Sequence, residues 1–301
     1  MTALESFQRQ IAIARELQSV VKTMKVLAAA SIRQYERAVE SLAEYSRTID
    51  LGLQVVLKER ARAENAGFKG IDWAAAEKHQ RLGAIVFGSD RGMCGQFNEQ
   101  IARYSVDCLN HLAPQPAERT VIVVGTRIVA PLEARGVAIA ASFPMPSSLA
   151  GITPMVQELL LYLEAWRSQE QIGPIVLLYN QPRSNTACEP HLHHLFPLDR
   201  AWLEHLQQER WHSRTLPTFT MDWTQLLAAL IRQYFFVCLY RAFAESLKSE
   251  NASRLASMQV AEQNIEERLA RLNAQFQHER QTAITQEILE IVAGAEAIAQ
   301  F

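Results

Sequence analysis

The segment Gly88-Ser89-Asp90-Arg91-Gly92-Met93-Cys94-Gly95 follows a β-branched run and precedes a helical one, the place where phosphate-binding loops sit. Its spacing is neither G-x-G-x-x-G nor G-x-x-x-x-G-K-[ST], and it holds no lysine for a terminal phosphate. The residues read more simply as a tight turn needing positive φ, with Ser89 or Asp90 accepting hydrogen bonds at the helix entry. His191, His193 and His194, close to Cys188 and Glu189, are metal-ligand types. A zinc site needs ligands converging from separate elements, however, and neighbouring histidines in a Pro-rich stretch point to opposite faces. Nucleophile, base and orienting acid do not occur as a set. Asn251-Ala252-Ser253 matches a glycosylation triplet but falls within a helical pattern, where it carries no meaning for a cytosolic chain. The expectation is a chain without catalytic residues, cofactor or metal of its own.

The elements that would position these residues are announced by the helix breakers. All eleven prolines lie between Pro114 and Pro217, and ten of the twelve glycines between Gly67 and Gly173. A proline in a helix interior costs about 3 kcal/mol, so breaker-free ends can run as very long helices. From Leu4 through Phe7, Ile11, Ala14, Leu17, Val21, Met24, Ala28, Ile32 and Tyr35 to Val56, apolar or small residues recur three or four apart. That is the spacing of a left-handed coiled-coil seam. A second stripe runs from Leu226 through Leu230, Tyr234, Val237, Leu247, Met258, Ile265 and Leu272 to Ile298.

At 1.5 Å per residue the first helix would be about 80 Å long and the second about 115 Å, and neither fits inside a globular domain. Two such stripes flanking a compact insertion pair most simply as an antiparallel hairpin. The second then overshoots Met1 by about 20 residues, or about 30 Å. This overshoot, residues 281–301, is rich in Ile, Leu, Val and Ala and has no partner within the hairpin, so it implies a receptor on another protein.

The middle alternates strands and helices. Residues 82–87, 121–124, 137–143 and 175–179 read as buried strands and 99–112, 127–135 and 154–168 as helices, with a weaker strand at 192–196. This order predicts a mainly parallel sheet covered on both faces. The fold class expected is therefore an antiparallel coiled coil of N- and C-terminal helices with an inserted Rossmann-like α/β domain. Its parts are an N-terminal helix over 1–58, a linker over 59–78, the α/β domain over 79–205 and the C-terminal helix over 206–301.

Composition sets bounds. The chain has 301 residues, 49% apolar and 21% charged, with net charge −2, which gives no basic excess for nucleic acid. No uninterrupted apolar run approaches the roughly 18 residues of a bilayer span, and the first ten residues lack a secretory pattern. Four cysteines at unrelated spacings, Cys94, Cys108, Cys188 and Cys238, read as reduced thiols.

Three stretches resemble one family. Residues 239–258, LYRAFAESLKSENASRLASM, and 283–295, AITQEILEIVAGA, look like the C-terminal signature of the gamma subunit of F-type ATP synthases. Residues 89–98, SDRGMCGQFN, resemble its central motif, and residues 22–30, KTMKVLAAA, its N-terminal one. The motifs stand in family order and the similarity covers nearly the whole chain. Three departures point to a divergent bacterial branch: Val20-Val21, Ser31, and the segment 216–223 in place of an acidic one.

The resemblance implies a rotor. The helical hairpin would be the central shaft inside three alpha and three beta subunits, and the α/β domain its foot on the epsilon subunit and the membrane c-ring. Catalysis would belong to the partners, with no nucleic acid involved and the membrane met only through the ring, at the cytoplasmic face of the bacterial inner membrane. The resemblance also places Lys22, Met24, Lys25, Arg254, Gln281, Thr285 and Glu287 against the catalytic beta subunits. Ile288, Ile291, Val292 and Ile298 would form the bearing tip. A non-motor helical scaffold and a nucleotide-using enzyme built on the middle domain are the alternatives.

Overall fold

The computed structural model describes residues 3–65, 81–169, 172–183, 187–211, 213, 215 and 217–299. The chain forms two compact units, one of residues 29–254 and one of residues 1–28 with 255–301. Helix α1, Ala3–Asn65, and helix α6, Trp223–Ala299, each contribute to both.

Within the larger unit the sequence alternates as expected. Strands β1 (Arg81–Phe87), β2 (Arg119–Val124), β3 (Ile139–Phe143), β4 (Ile172–Pro182) and β5 (Cys188–Phe196) make one sheet in the order β3-β2-β1-β4-β5. The first four are mutually parallel, and β5 pairs antiparallel with β4 along its full length. The weak signal at 192–196 thus belongs to a longer edge strand. Helices α2 (Phe97–Leu112), α3 (Val129–Glu133) and α4 (Ile152–Gln169) connect the parallel strands. Helix α3 is shorter than its periodicity suggests: Thr126–Ile128 is a 3-10 turn, Pro131 falls within the helix, and Gly136 at φ +77° ends the turn that follows.

Period-two alternation sends each strand's residues to opposite faces. Ile85 and Phe87 of β1 join Leu177 and Tyr179 of β4 on one side, packed with α4, Tyr35 of α1, and Leu239, Phe243 and Leu247 of α6. Ala84, Val86, Val176 and Leu178 point the other way, toward α2 and α3. Phe87 meets the Phe243 ring edge-on at 5.0 Å. A third cluster joins Leu42, Leu53 and Val56 of α1 to Leu203 and Leu206 of helix α5, Arg200–Gln208. Helix α5 straddles the boundary between the 79–205 and 206–301 readings, and α6 itself begins only at Trp223. Asp199 starts α5 by accepting from the Ala201 amide, and α6 begins after Asp222 accepts from the Thr224 and Gln225 amides. Pro217 lies between the two helices, where it keeps them separate. At the other end, α1 runs on to Asn65, into the stretch read as a linker, the rest of which lies outside the described residues.

Antiparallel pairing of α1 with α6 is visible within each unit. Lys248 Nζ reaches Glu36 Oε1 at 2.8 Å, Tyr45 donates to Gln233 Oε1 at 2.8 Å, and Gly52 sits against Leu230. In the smaller unit Lys25 pairs with Glu262, and Gln18 donates to Glu266 at 3.3 Å. Ile11, Ala14, Ala28, Met258 and Leu272 are the buried seam there. Numbering rises on one helix as it falls on the other, which defines the antiparallel register. By length and composition alone α6 is apolar enough to cross a membrane; 28% of its apolar stretch is buried, and in the larger unit Leu239, Phe243 and Leu247 join the core.

Gly88 is a site of close approach between the end of β1 and the turn after β2. A Cβ there would stand 2.4 Å from Ile128 Cβ, an atom fixed to its own backbone. Gly88→Ala is expected to destabilise the chain by about 1–3 kcal/mol in urea unfolding, because strand end and turn must separate.

Candidate rotor contacts and the joint at the central motif

The loop that resembled a phosphate cradle spends its polar groups on its own chain. Ser89 N donates to Asn98 Oδ1 at 3.0 Å, Asn98 Nδ2 donates to Ser89 Oγ at 2.8 Å, and Ser89 Oγ donates to Arg91 O at 3.0 Å. Asp90 does not cap α2, as the sequence suggested. Its carboxylate accepts from Thr126 N at 2.7 Å and Met145 N at 2.8 Å, tying together the turns after β2 and β3. The N-cap of α2 is Gln96, whose side chain makes no cap bond. The expected positive φ occurs at Gly95, +57°, and also at Met93, +59°. These two left-handed residues fold the loop back so that its carbonyls face α6.

There α6 is polar where its neighbours are apolar. Arg254 Nη2 lies 2.6 Å from Glu250 Oε1, with both side chains at least nine-tenths buried. The same nitrogen faces Gly92 O at 3.3 Å and Arg91 O at 3.5 Å. Ser253 Oγ donates to Cys94 O at 2.6 Å, and Ser249 Oγ donates to Asn180 O at 2.9 Å. Asn180 Nδ2 in turn donates to Phe97 O at 3.2 Å, at the start of α2. One turn and a half of α6 is thereby fastened to the loop and to the end of β4. Burial lifts the Glu250 carboxyl above the usual carboxylate range, and Arg254 and Arg91 pull it back.

The joint was not identified from the sequence, although a signal was present. Ser246, Ser249, Glu250 and Ser253 interrupt an apolar pattern on one helix face, and Glu250 and Arg254 stand at i, i+4. Read from periodicity alone, such residues look like a solvated face. Arg254, expected to meet another subunit, is here 7% exposed and fully engaged inside its own unit.

The other residues expected to meet partners lie in the smaller unit. Lys22 is exposed, Met24 is half-buried, and Lys25 pairs with Glu262 across the seam. Gln281, Thr285 and Glu287 are exposed about 30 Å farther along α6 from Glu262, with Thr285 Oγ1 donating to Gln281 O at 2.9 Å. Every residue from 281 to 293 is exposed, including Ile288 at 55% and Ile291 at 66%, with Val292 close behind. The side chain of Ile298 lies outside the described residues. On α1, Ile13, Leu17, Val20 and Leu27 form a second exposed apolar stripe beside the seam.

The histidines fall on the edge strand. His191 and His193 oppose Tyr179 and Leu177 of β4, and His191 meets the Tyr179 ring edge-on at 5.4 Å. Among the described residues no group of three or more His, Cys, Asp or Glu side chains is placed to hold a metal ion. The four cysteines are free thiols. Burial, followed by the charges of His191, Arg241 and His194, pushes His193 down to about 4. The unfolded chain takes up that proton near pH 6.5 and the folded one does not, so stability is lost as pH falls from about 6.5 toward 4. The loss amounts to at most about 3 kcal/mol in full, and His193→Gln should flatten the pH dependence of urea unfolding between pH 7.5 and 5 by up to about 2 kcal/mol.

Comparison with known proteins agrees with this architecture. The ATP synthase family model matches residues 3–298. The ATP synthase gamma chain of a Cyanothece species is 28% identical, the match covering 99% of this chain and all of that one. Among solved structures, the rotor of the Euglena gracilis mitochondrial ATP synthase superposes with a TM-score of 0.63 at 14% identity, covering 93% of this chain and 98% of its own. A chain of the Euglena gracilis OSCP/F1/c-ring assembly gives 0.63 at 17% identity, covering 98% of this chain and 94% of its own. The fold is thus that of central-stalk subunits, and the chain, matched along almost its whole length, belongs to the ATP synthase family as one of its gamma-chain members.

Proposed function

We propose that the chain is the turning shaft of an F-type ATP synthase. It would stand inside three alpha and three beta subunits, with the α/β domain resting on the epsilon subunit and the c-ring, at the cytoplasmic face of a bacterial inner membrane. Rotation would couple ion passage through the ring to ATP synthesis or hydrolysis in the hexamer. The shaft is asymmetric, so it touches three chemically identical beta subunits differently. Each angular position then favours a different nucleotide affinity through unequal contact energies.

The observation that carries the reading is the exposed apolar end of α6. Among the described residues, Ile284, Ile288, Leu289, Ile291 and Val292 are exposed on the end of a helix longer than α1. Side chains of this kind are worth about 1.5–3 kcal/mol each when enclosed, so the end is built for a sleeve. Ile288, Ile291, Val292 and Ile298 would seat in that sleeve, while Gln281, Thr285 and Glu287 would lie on the beta subunits just below. Lys22 and Met24 would face the beta subunits at the lower level, with Lys25 set by Glu262. Arg254 would act on that contact indirectly, by holding α6 against the domain that carries the torque.

Reconstitution tests the reading. Alpha and beta subunits mixed with this chain are expected to give sustained ATPase activity well above that of alpha and beta alone. No stimulation, with the chain folded, would remove it. Ile288→Asp with Ile291→Asp should leave the thermal melting of the isolated chain unchanged, since both are exposed there, and should weaken assembly with the hexamer in sedimentation.

A further inference from the structure

One cavity is not part of the shaft contacts. It has a volume of about 1100 Å³ and lies within the larger unit, between the edge strand β5, α5, and the facing stretches of α1 and α6. That is the size of a small-molecule site. One wall is aromatic: Trp202 of α5 and Tyr234 of α6 stand with ring centroids 5.0 Å apart and planes tilted by 31°.

Most charged groups at its rim are already engaged. Arg200 pairs with Glu204 at 3.2 Å, Asp199 caps α5, and the Arg60 guanidinium lies over the Trp223 ring. Two groups of the lining are different. His193 Nε2 and Arg241 Nε are both shielded from solvent and have no hydrogen-bond partner. Buried polar atoms are nearly always satisfied, so Arg241 Nε, a donor only, asks for an acceptor, and His193 Nε2 in its N–H tautomer can share it. His191 and His194 line the same space, and neither Asp50, which faces Arg241, nor Glu245, four residues farther along α6, forms an ion pair with it among the described residues. The surroundings of Arg241 are therefore rich in donors and poor in committed acceptors.

We propose that this cavity binds a small anionic molecule, its phosphate or carboxylate group taken up by Arg241 and His193. A guanidinium meets such a group with directed N–H donors, and a neutral imidazole adds another. The wall of Trp202 and Tyr234 would take the rest of the molecule. Bound there, the ligand would bridge β5 and α6, joining the sheet edge to the helix pair. The site is independent of the shaft contacts, so it stands or falls without them.

Calorimetric titration of the purified full chain with inorganic phosphate, citrate and ADP is the test. At least one of them is expected to bind saturably at a single site. Arg241→Gln and His193→Gln should each weaken that binding about tenfold or more, with circular dichroism spectra like that of the parent chain. Binding of phosphate alone, citrate alone or ADP alone would identify which group, or which ring on the aromatic wall, is read. If Arg241→Gln fails to fold, His193→Gln decides. Three unsaturated titrations, or an affinity indifferent to the folded substitutions, would overturn the proposal.

Discussion

Leu247→Pro is expected to abolish ATP-driven ion uptake by membrane vesicles carrying the assembled complex, while ATP hydrolysis by that complex continues. Leu247 is buried in the core that joins α6 to the sheet, facing the same cluster as Phe243 and Phe87. Proline at this place removes the amide bond to the preceding turn and drives its ring into the carbonyl four residues back, at a cost of about 3 kcal/mol or more. The kink falls just below Ser249, Ser253 and Arg254, where the α/β domain is fastened to the helix. Torque entering through the domain would then bend α6 and fail to turn it. Leu247→Ala is the control: it loses about 2–5 kcal/mol of core packing but keeps the helix continuous. Uptake should survive in the alanine form and vanish in the proline form. Equal coupling in both would mean that helix continuity at this level does not carry the torque.

Glu250→Ala should destabilise the chain by about 3–5 kcal/mol in denaturant unfolding, more than removal of any exposed ion pair. The reason is what it leaves behind. Arg254 would keep its charge with only neutral acceptors facing it, the carbonyls of Arg91 and Gly92 and Asn251 Oδ1, inside a site where its side chain is 8% exposed. Replacing both partners by methionine should cost less than the single change, because no unpaired charge remains in the interior. By contrast, Lys248 with Glu36 is an exposed pair on the carboxylate side, and Lys248→Met should cost no more than about 1 kcal/mol. Its hydrogen bond from Lys248 holds the Glu36 carboxyl below its usual value, so this small contribution is present above about pH 4.5 and lost as pH falls further. A double-mutant cycle at positions 250 and 254 separates the pair's own coupling from the cost of burying it.

Much of this molecule follows from periodicity. The two long helices are written in breaker-free stripes spaced by three and four, and their unequal lengths already require an unpaired end. The exposed residues 281–293 agree with that arithmetic. The parallel sheet follows from alternating β-branched runs and helical stretches, since a parallel pair needs a crossover. These are local or one-dimensional properties, and hydrophobic burial enforces them on any chain with such a pattern.

Tertiary structure decided the rest. Nothing local tells that Asp90 serves two distant amides, Thr126 N and Met145 N, or that the carbonyls of Arg91 and Gly92 turn toward a guanidinium more than 160 residues away. Nor does spacing reveal that polar residues on α6 are buried; a serine on a helix looks the same facing water or facing a carbonyl. The beginning of α6 was likewise settled by Asp222 after an intervening helix α5, whose apolar face needed the cluster at Leu53 and Val56 to be stable. Hydrogen-bond partners distant in sequence are chosen by which carbonyls and amides the packed sheet leaves unpaired, and that choice exists only once the layers have assembled.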